Sequence, residues 1–261
     1  MDIIARCATV CEAAAREAGG ILLDWSQRFS VIQKGPADYV TEADLAAQET
    51  IQRRIREAFP DHGFLGEEGT HQQSDSPYLW IVDPLDGTTN YVHGIPYYCT
   101  SIGLAHEGQL IVGAVFDPNA DACYTAVRGQ GAFLNGSERL ETRATTDVGA
   151  AVVAASLSAR VAPDSAEAAA FNAIASQCHA IRRFGSAALN LCLVAAGKLD
   201  AYWALCNSSW DVAAGMLLVS EAGGAVASPD GSPVDLSAPR LIAAATDKLH
   251  AGLREVVGNG H

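Results

Sequence analysis

Residues 80–90 read WIVDPLDGTTN. Leu79, Trp80, Ile81 and Val82 make an apolar run of the kind that forms a buried strand. The run ends at Asp83. Pro84, Leu85, Asp86, Gly87, Thr88 and Thr89 follow, a turn that reads as the start of a helix. Two carboxylates three residues apart therefore close a buried strand, just ahead of small residues whose backbone N–H groups are free. A divalent cation and a phosphate can be held together at such a place. Two acids at the end of a buried strand also need compensation, because unpaired charge is costly away from water.

Upstream, Ile4, Cys7, Ala8, Cys11, Ala14, Ala15, Ala18, Ile21, Leu22 and Trp25 predict a helix over 3–27, loosened at Gly19-Gly20. QKGPAD (33–38) predicts a turn with Lys34 exposed. Thr41 predicts an N-cap, with Asp44 in the first turn of a helix that runs to about Phe59. Phe64-Leu65-Gly66 leads into Glu67-Glu68-Gly69, and the polar loop THQQSDSP (70–77) separates these from the central strand. Downstream, 97–106 and 110–117 predict strands joined as a hairpin, and the β pattern continues through 121–127 and 131–134.

From residue 151 the pattern changes. Strands at 151–155, 180–184, 201–205 and 241–245 alternate with helices at 164–177, 186–196, 211–221 and from about Asp247, which predicts an α/β layered half. No Pro- or Ser-rich linker divides the halves. The expectation is one composite catalytic domain over 1–261. Its 1–140 part carries helices, a mainly antiparallel sheet and most metal ligands; its 141–261 part carries the last ligand and the substrate-side loops.

The chain has 261 residues, 49% hydrophobic and 18% charged, so a globular protein with a sizeable core is expected. A net charge of −13 makes nucleic acid a poor partner. The seven cysteines are odd in number and contain no CxxC pair, which favours a reducing compartment over a disulfide framework or zinc site. The acidic opening of MDIIARCATVCEAAAREAGG is unlike a signal peptide, and no run of about 18 apolar residues is present to span a membrane. The cytoplasm is the expected location.

Asp44, Glu67, Glu68, Asp83, Asp86 and Asp211 all stand at element ends beside glycine or small residues. Each alone has an ordinary reading, as a helix cap or a solvated loop acid. Together they supply the four or five oxygen ligands, from separate segments, that hard cations such as Mg²⁺ require.

Three segments, GEEG (66–69), WIVDPLDGTTNYVHG (80–94) and WDVAAGMLLVSEAGG (210–224), resemble the signatures of the inositol monophosphatase family. KGPADYVTEAD (34–44) and GSAALNLCLVAAGKLDAYW (185–203) are similar to it too. The resemblance implies a layered α-β-α-β-α sandwich, Mg²⁺ dependence with two or three ions per site, Li⁺ sensitivity and a homodimer. It assigns Glu67, Asp83 and the Leu85 carbonyl to a first metal, Asp83, Asp86 and Asp211 to a second, and Glu67 to a weaker third, with Glu68 supporting the site's charge or water shell. Thr88 and Asp44, with Glu67, match the group that orients the attacking water. The N–H groups of Gly87 and Thr88 match the phosphate cradle. Asp86, Gly185, Ser186, Ala187 and Asp211 match the substrate side. The implied reaction is hydrolysis of a small phosphorylated alcohol by metal-activated water, with no side-chain nucleophile.

Family members that act on inositol phosphates carry an acid seven residues before the last metal aspartate. Counting back from Asp211 gives Ala204, and YWALCNSSWD (202–211) has no acid before Asp211. Specificity for inositol 1-phosphate is therefore in doubt. Histidinol phosphate and sugar phosphates are alternatives on the same scaffold, and a non-catalytic regulatory protein is the alternative of a different class. Asn207, Ser208 and Ser209 are candidate polar contacts. Arg182-Arg183 reads equally as a substrate contact or a surface pair. Trp210 reads as packing, and His93 as structural.

Overall fold

The computed structural model describes residues 2–26, 28–35, 38–69, 71–72 and 74–258. Helix α1 (Ile3–Trp25) runs without a break. The expected loosening at Gly19 is absent, because Gly19 is a point of close packing: a Cβ there would lie 2.3 Å from the Phe116 ring. Strands β1 (Val31–Gly35) and β2 (Asp38–Thr41) pair antiparallel, so much of the predicted turn is hairpin. The Lys34 side chain lies outside the described residues. Helix α2 (Glu42–Ala58) follows, capped by Thr41 as its sequence predicts.

Strands β3 (Gly63–Gly66), β4 (His71–Gln72) and β5 (Tyr78–Asp86) come next, then the short helix α3 (Thr88–Val92). Strands β6 (Cys99–His106), β7 (Gln109–Asp117), β8 (Ala122–Val127), β9 (Gly131–Leu134) and β10 (Glu138–Arg139) complete an eight-stranded sheet. Its order is β10-β9-β8-β7-β6-β5-β3-β4, antiparallel except where β3 runs parallel to β5. The β6–β7 turn uses Glu107 (φ 50°) and Gly108 (φ 76°), and positive φ at both central residues matches the twist of a two-residue hairpin.

The second half contains β11 (Val152–Ser156), α4 (Ala166–Gln177), β12 (Ala180–Arg182), α5 (Ala187–Ala195) and β13 (Ala201–Ala204). It ends with α6 (Ser209–Glu221), β14 (Ala225–Ala227), β15 (Leu241–Ala244) and α7 (Asp247–Gly258). The five-stranded sheet has the order β12-β11-β13-β15-β14, parallel across β12, β11 and β13 and antiparallel beyond.

Alternation along the strands builds the layers. Trp80, Val82, Ile102 and Leu104 face Cys11, Leu22, Ile51 and Ile55 of α1 and α2. Ile81, Val115 and Ala126 face α5 and α6, which also receive Ala154, Tyr202 and Ala243 from the second sheet. Val153, Trp203 and Ile242 face α4 and α7 on the far side. The result is the α-β-α-β-α sandwich implied by the sequence. Its middle helices sit very close to the first sheet. Gly103 and Gly113 are paired in register, and a Cβ on Gly113 would meet the Ala214 backbone at 3.0 Å. Only glycine at these points lets α6 approach so far, and that approach sets the depth of Asp211 at its start.

Candidate active site

The opening motif is a bulged strand end. Asp83 pairs with Ser101 and Asp86 with Cys99, so three steps on β5 match two on β6. Pro84 has no N–H for the ladder, which favours the break there. The extra residue changes the parity of the strand, so Asp83 and Asp86 share a face instead of lying on opposite ones. Leu85 N–H donates to Asp83 Oδ1 at 3.0 Å, and Thr100 Oγ1 donates to the Pro84 carbonyl at 3.0 Å. These two bonds hold the bulge in shape.

Three helix starts bring their acids to this point. Asp44, fully buried, closes the capping box of α2: its Oδ2 accepts from Thr41 N–H at 2.8 Å and from Thr41 Oγ1 at 2.5 Å. Asp86 sits across the start of α5, where its Oδ2 accepts from Ser186 Oγ at 2.6 Å and Ala188 N–H at 2.7 Å. Asp211 lies in the first turn of α6, and its Oδ2 accepts from Ser208 N–H at 2.7 Å. Each carboxylate thus spends one oxygen on a helix terminus, where the dipole favours negative charge. The other oxygen is left for the site. Asp44 Oδ1 receives a long 3.5 Å bond from Thr88 Oγ1, which also donates to the Leu85 carbonyl at 3.0 Å.

Glu67 follows β3. Its N–H donates to the Val82 carbonyl at 3.1 Å, extending the pairing by one residue and carrying the side chain to the bulge. The Glu67 and Asp83 carboxyl groups are neighbours, and negative charge on Glu67 helps to push the Asp83 carboxyl upward. Gln48 clamps the backbone of Glu68: its Oε1 accepts from the Glu68 N–H at 3.0 Å and its Nε2 donates to the Glu68 carbonyl at 3.1 Å.

Burial pushes every one of the five site acids upward. Asp44 rises to about 6 through burial, against the pull of the Thr41 hydrogen bonds. Glu67 and Asp83 rise through burial and then through neighbouring negative charge, as does Asp211. Asp86 rises through burial despite its bonds from Ser186 and Ala188. Among the described residues no Lys, Arg or His pairs with any of the five. Such a cluster stays protonated or takes up cations.

Among the described residues, no three His, Cys, Asp or Glu side chains form a ready-made metal cage. The donor set fits a hard ion that keeps waters and takes only one or two carboxylates plus substrate oxygens. Every member offers oxygen, the buried Cys99 thiol only donates to Asp86 Oδ2 at 3.9 Å, and among the described residues no basic side chain pairs with the negative charge.

Asp86 and Asp211 open into a cavity of about 490 Å³, also lined by Thr89, Asn90, Gly185 and Ala187. Ser186 is fully buried and turned to Asp86, so it positions that carboxylate and does not line the cavity. Thr88 and Gly87 sit at the start of α3, whose first N–H groups lack partners within the helix. Ala204 is fully buried; its register neighbour Ser156 lines the cavity instead, with Asn207 and Arg183. His93 is exposed at the end of α3 and outside the cavity. Trp210 packs against the middle core.

The fold and motif set have matches among known proteins. The family model for the inositol monophosphatase family matches residues 5–260. The chain belongs to the inositol monophosphatase family. It is 36% identical to an inositol-1-monophosphatase of Caulobacter vibrioides over 94% of this chain and 97% of that protein. It is 40% identical to the Nus factor SuhB of Pseudomonas aeruginosa, over 93% of each chain. The crystal structure of the extragenic suppressor protein suhB from Bartonella henselae superposes with a TM-score of 0.91 at 36% identity, covering 97% of this chain and 98% of that one. Family membership supports phosphatase activity in general.

Two supports of the site escape a reading for acids. Buried Asn90 donates to the carbonyls of Tyr97 and Phe184, both at 2.8 Å, and ties the strand-end turn to the substrate-side loop. Gln48 sits mid-helix and looks like any surface glutamine in sequence. Only the end of the central motif, at Asn90, offered a signal for either.

Proposed function

We propose that this chain is a Mg²⁺-dependent phosphate monoesterase acting on a small phosphorylated alcohol. The observation that carries this is the convergence of Asp44, Glu67, Asp83, Asp86 and Asp211, without a basic partner among the described residues, beside an open cavity.

Glu67, Asp83, Asp86, Asp211 and the Leu85 carbonyl would hold the ions. Mg²⁺ held by these residues would supply charge neutralisation at phosphate oxygens and a more acidic water. Thr88 would orient the attacking water: its hydroxyl proton is directed to the Leu85 carbonyl and Asp44, which leaves its oxygen as an acceptor. Asp44 fixes Thr88, and Glu67 takes part in orienting the water. The first N–H groups of α3 hold the phosphate. Asp86 and Asp211, on the cavity side, face the alcohol.

A homodimer, a cytoplasmic setting and Li⁺ sensitivity belong to the same reading, as family traits. No helix among the described residues is long and apolar enough to cross a membrane. Histidinol phosphate and sugar phosphates remain substrate candidates, because no acid occupies position 204. A second reading, as a regulatory binding protein, is favoured by relatives named Nus factor SuhB. The complete carboxylate set argues for turnover alongside any such role. Purified protein should release phosphate from a panel of monoesters with Mg²⁺ and stop in excess chelator. Activity that persists in chelator would remove the metal from the account.

A further inference from the structure

Gln48 follows Asp44 by one turn of α2, so the two side chains share a face of the helix. Both are buried, Asp44 completely and Gln48 to 5% exposure. Asp44 reaches Thr88, whose hydroxyl donates to its Oδ1 at 3.5 Å. Gln48 reaches the loop that carries Glu67. One turn of one helix therefore touches two separate parts of the site.

The Gln48 amide uses both of its ends on that loop. Its Oε1 accepts from the Glu68 N–H at 3.0 Å, and its Nε2 donates to the Glu68 carbonyl at 3.1 Å. A flipped amide would set donor against donor and acceptor against acceptor, so a single orientation satisfies the loop. The same side chain fills the space over Gly66, where a Cβ would lie 2.3 Å from Oε1. Gln48 thus contacts the residue before Glu67 and the residue after it. The other backbone bonds complete the frame: Glu67 N–H donates to the Val82 carbonyl at 3.1 Å, and Gly69 N–H donates to the Glu67 carbonyl at 2.8 Å. The peptide groups on both sides of Glu67 are pinned, which fixes the direction in which its side chain leaves the chain. Glutamine alone supplies both halves of the clamp; a glutamate lacks the donor, and a methionine of similar shape lacks both. Glu68 is only half-buried, so water can replace the clamp's bonds and the fold can survive without it. The consequence then falls on the aim of Glu67. Neither Gln48 nor Glu67 lines the cavity beside Asp86 and Asp211, so the alcohol side is untouched.

We propose that Gln48 is a positioning residue that holds Glu67 in register with the Asp44–Thr88 pair, one turn of α2 aligning the metal ligand with the group that orients water. The proposal rests on the phosphatase reading of this site and assigns the residue that aligns its parts.

The test measures Mn²⁺ binding by calorimetry, which needs no turnover, beside phosphate release from glycerol 2-phosphate at saturating Mg²⁺. Gln48→Met keeps the shape and removes both bonds. It should raise the Mn²⁺ Kd and lower kcat, each by about threefold to tenfold, with KM for the ester within about twofold of the wild type. Gln48→Glu keeps the acceptor for the Glu68 N–H and should recover part of both losses. If Gln48→Met does not fold, Gly66→Ala takes its place: the added methyl displaces the Gln48 amide and should give the same pattern. Wild-type Kd and kcat in the folded variant, or a loss confined to Tm or KM, overturns the positioning role and spares the phosphatase. A raised Mn²⁺ Kd in the variant, with no phosphate released from any monoester by the wild type, overturns the phosphatase reading and leaves the clamp standing.

Discussion

Ser186 Oγ donates to Asp86 Oδ2 at 2.6 Å, and this bond joins the two halves of the molecule at the point of chemistry. Asp86 ends β5 of the first sheet, and Ser186 caps α5 of the middle layer, where its Oγ also accepts from Leu189 N–H at 3.1 Å. The same hydroxyl thus starts a helix and turns a carboxylate. Ser186→Ala should lower kcat about tenfold to a hundredfold, the scale of one hydrogen bond to a charged group. It should also cost about 1 kcal/mol of stability through the lost cap. Ser186→Thr should restore much of both. Steady-state kinetics with a melting curve for each variant checks this; unchanged kcat in the alanine variant would dismiss the positioning role.

The approach of α6 to the first sheet gives a second test. The Ala214 backbone lies 3.0 Å from a Cβ built on Gly113, and backbone cannot yield as a side-chain tip can. Gly113→Ala should destabilise the protein by about 1–3 kcal/mol and push α6 outward. Asp211 lies in the first turn of that helix, so the Mg²⁺ concentration for half-maximal activity should rise as well. A stability loss with unaltered Mg²⁺ dependence would separate the packing from the site.

The raised acids make stability depend on pH and on metal together. Asp44 has a folded-state value of about 6 against 3.8 in a free chain, so the folded protein holds the proton more tightly. Its contribution is fully present below the unfolded value and is lost as pH rises through the folded one. For Asp44 alone the loss is about 2–3 kcal/mol. Glu67, Asp83, Asp86 and Asp211 shift the same way. In chelator, the site acids should make stability decline as pH rises from about 4 to beyond 6, and Asp44→Asn should flatten part of that decline. Mg²⁺ should raise Tm more at pH 7.5 than at pH 5. Equal Mg²⁺ shifts at both pH values would contradict the electrostatic reading of the cluster.

Much of this was legible in the chain because the site is built at element ends. Thr41 and Asp44 mark a helix start through their own side chains, and α2 begins where they say. WIVD announces a buried strand, but 84–86 read as a turn, whereas β5 continues through a bulge to Asp86. What stayed hidden depends on contacts between distant segments. Gly19-Gly20 looks like a weak point in a helix, yet Gly19 is where Phe116 packs. QKGPAD looks like a loop, but the residues flanking 36–37 pair as strands. Ser186 reads as a substrate-side residue by position, while its hydroxyl is turned inward to Asp86. Ala204 draws attention to a missing acid, but it is fully buried, and its register neighbour Ser156, which no local pattern links to it, lines the cavity.

The central claim is that four carboxylates from both halves, Glu67, Asp83, Asp86 and Asp211, hold Mg²⁺ with the Leu85 carbonyl for hydrolysis of a phosphate monoester. A Mg²⁺ titration of phosphate release, run side by side on the wild type and Asp86→Asn with melting curves for both, tests it most directly. The wild type should show saturable dependence on Mg²⁺ and none in chelator. Asp86→Asn should remain folded and lose on the order of a thousandfold in turnover at saturating Mg²⁺. Wild-type turnover that ignores Mg²⁺, or near-normal turnover in a folded Asp86→Asn, would contradict it.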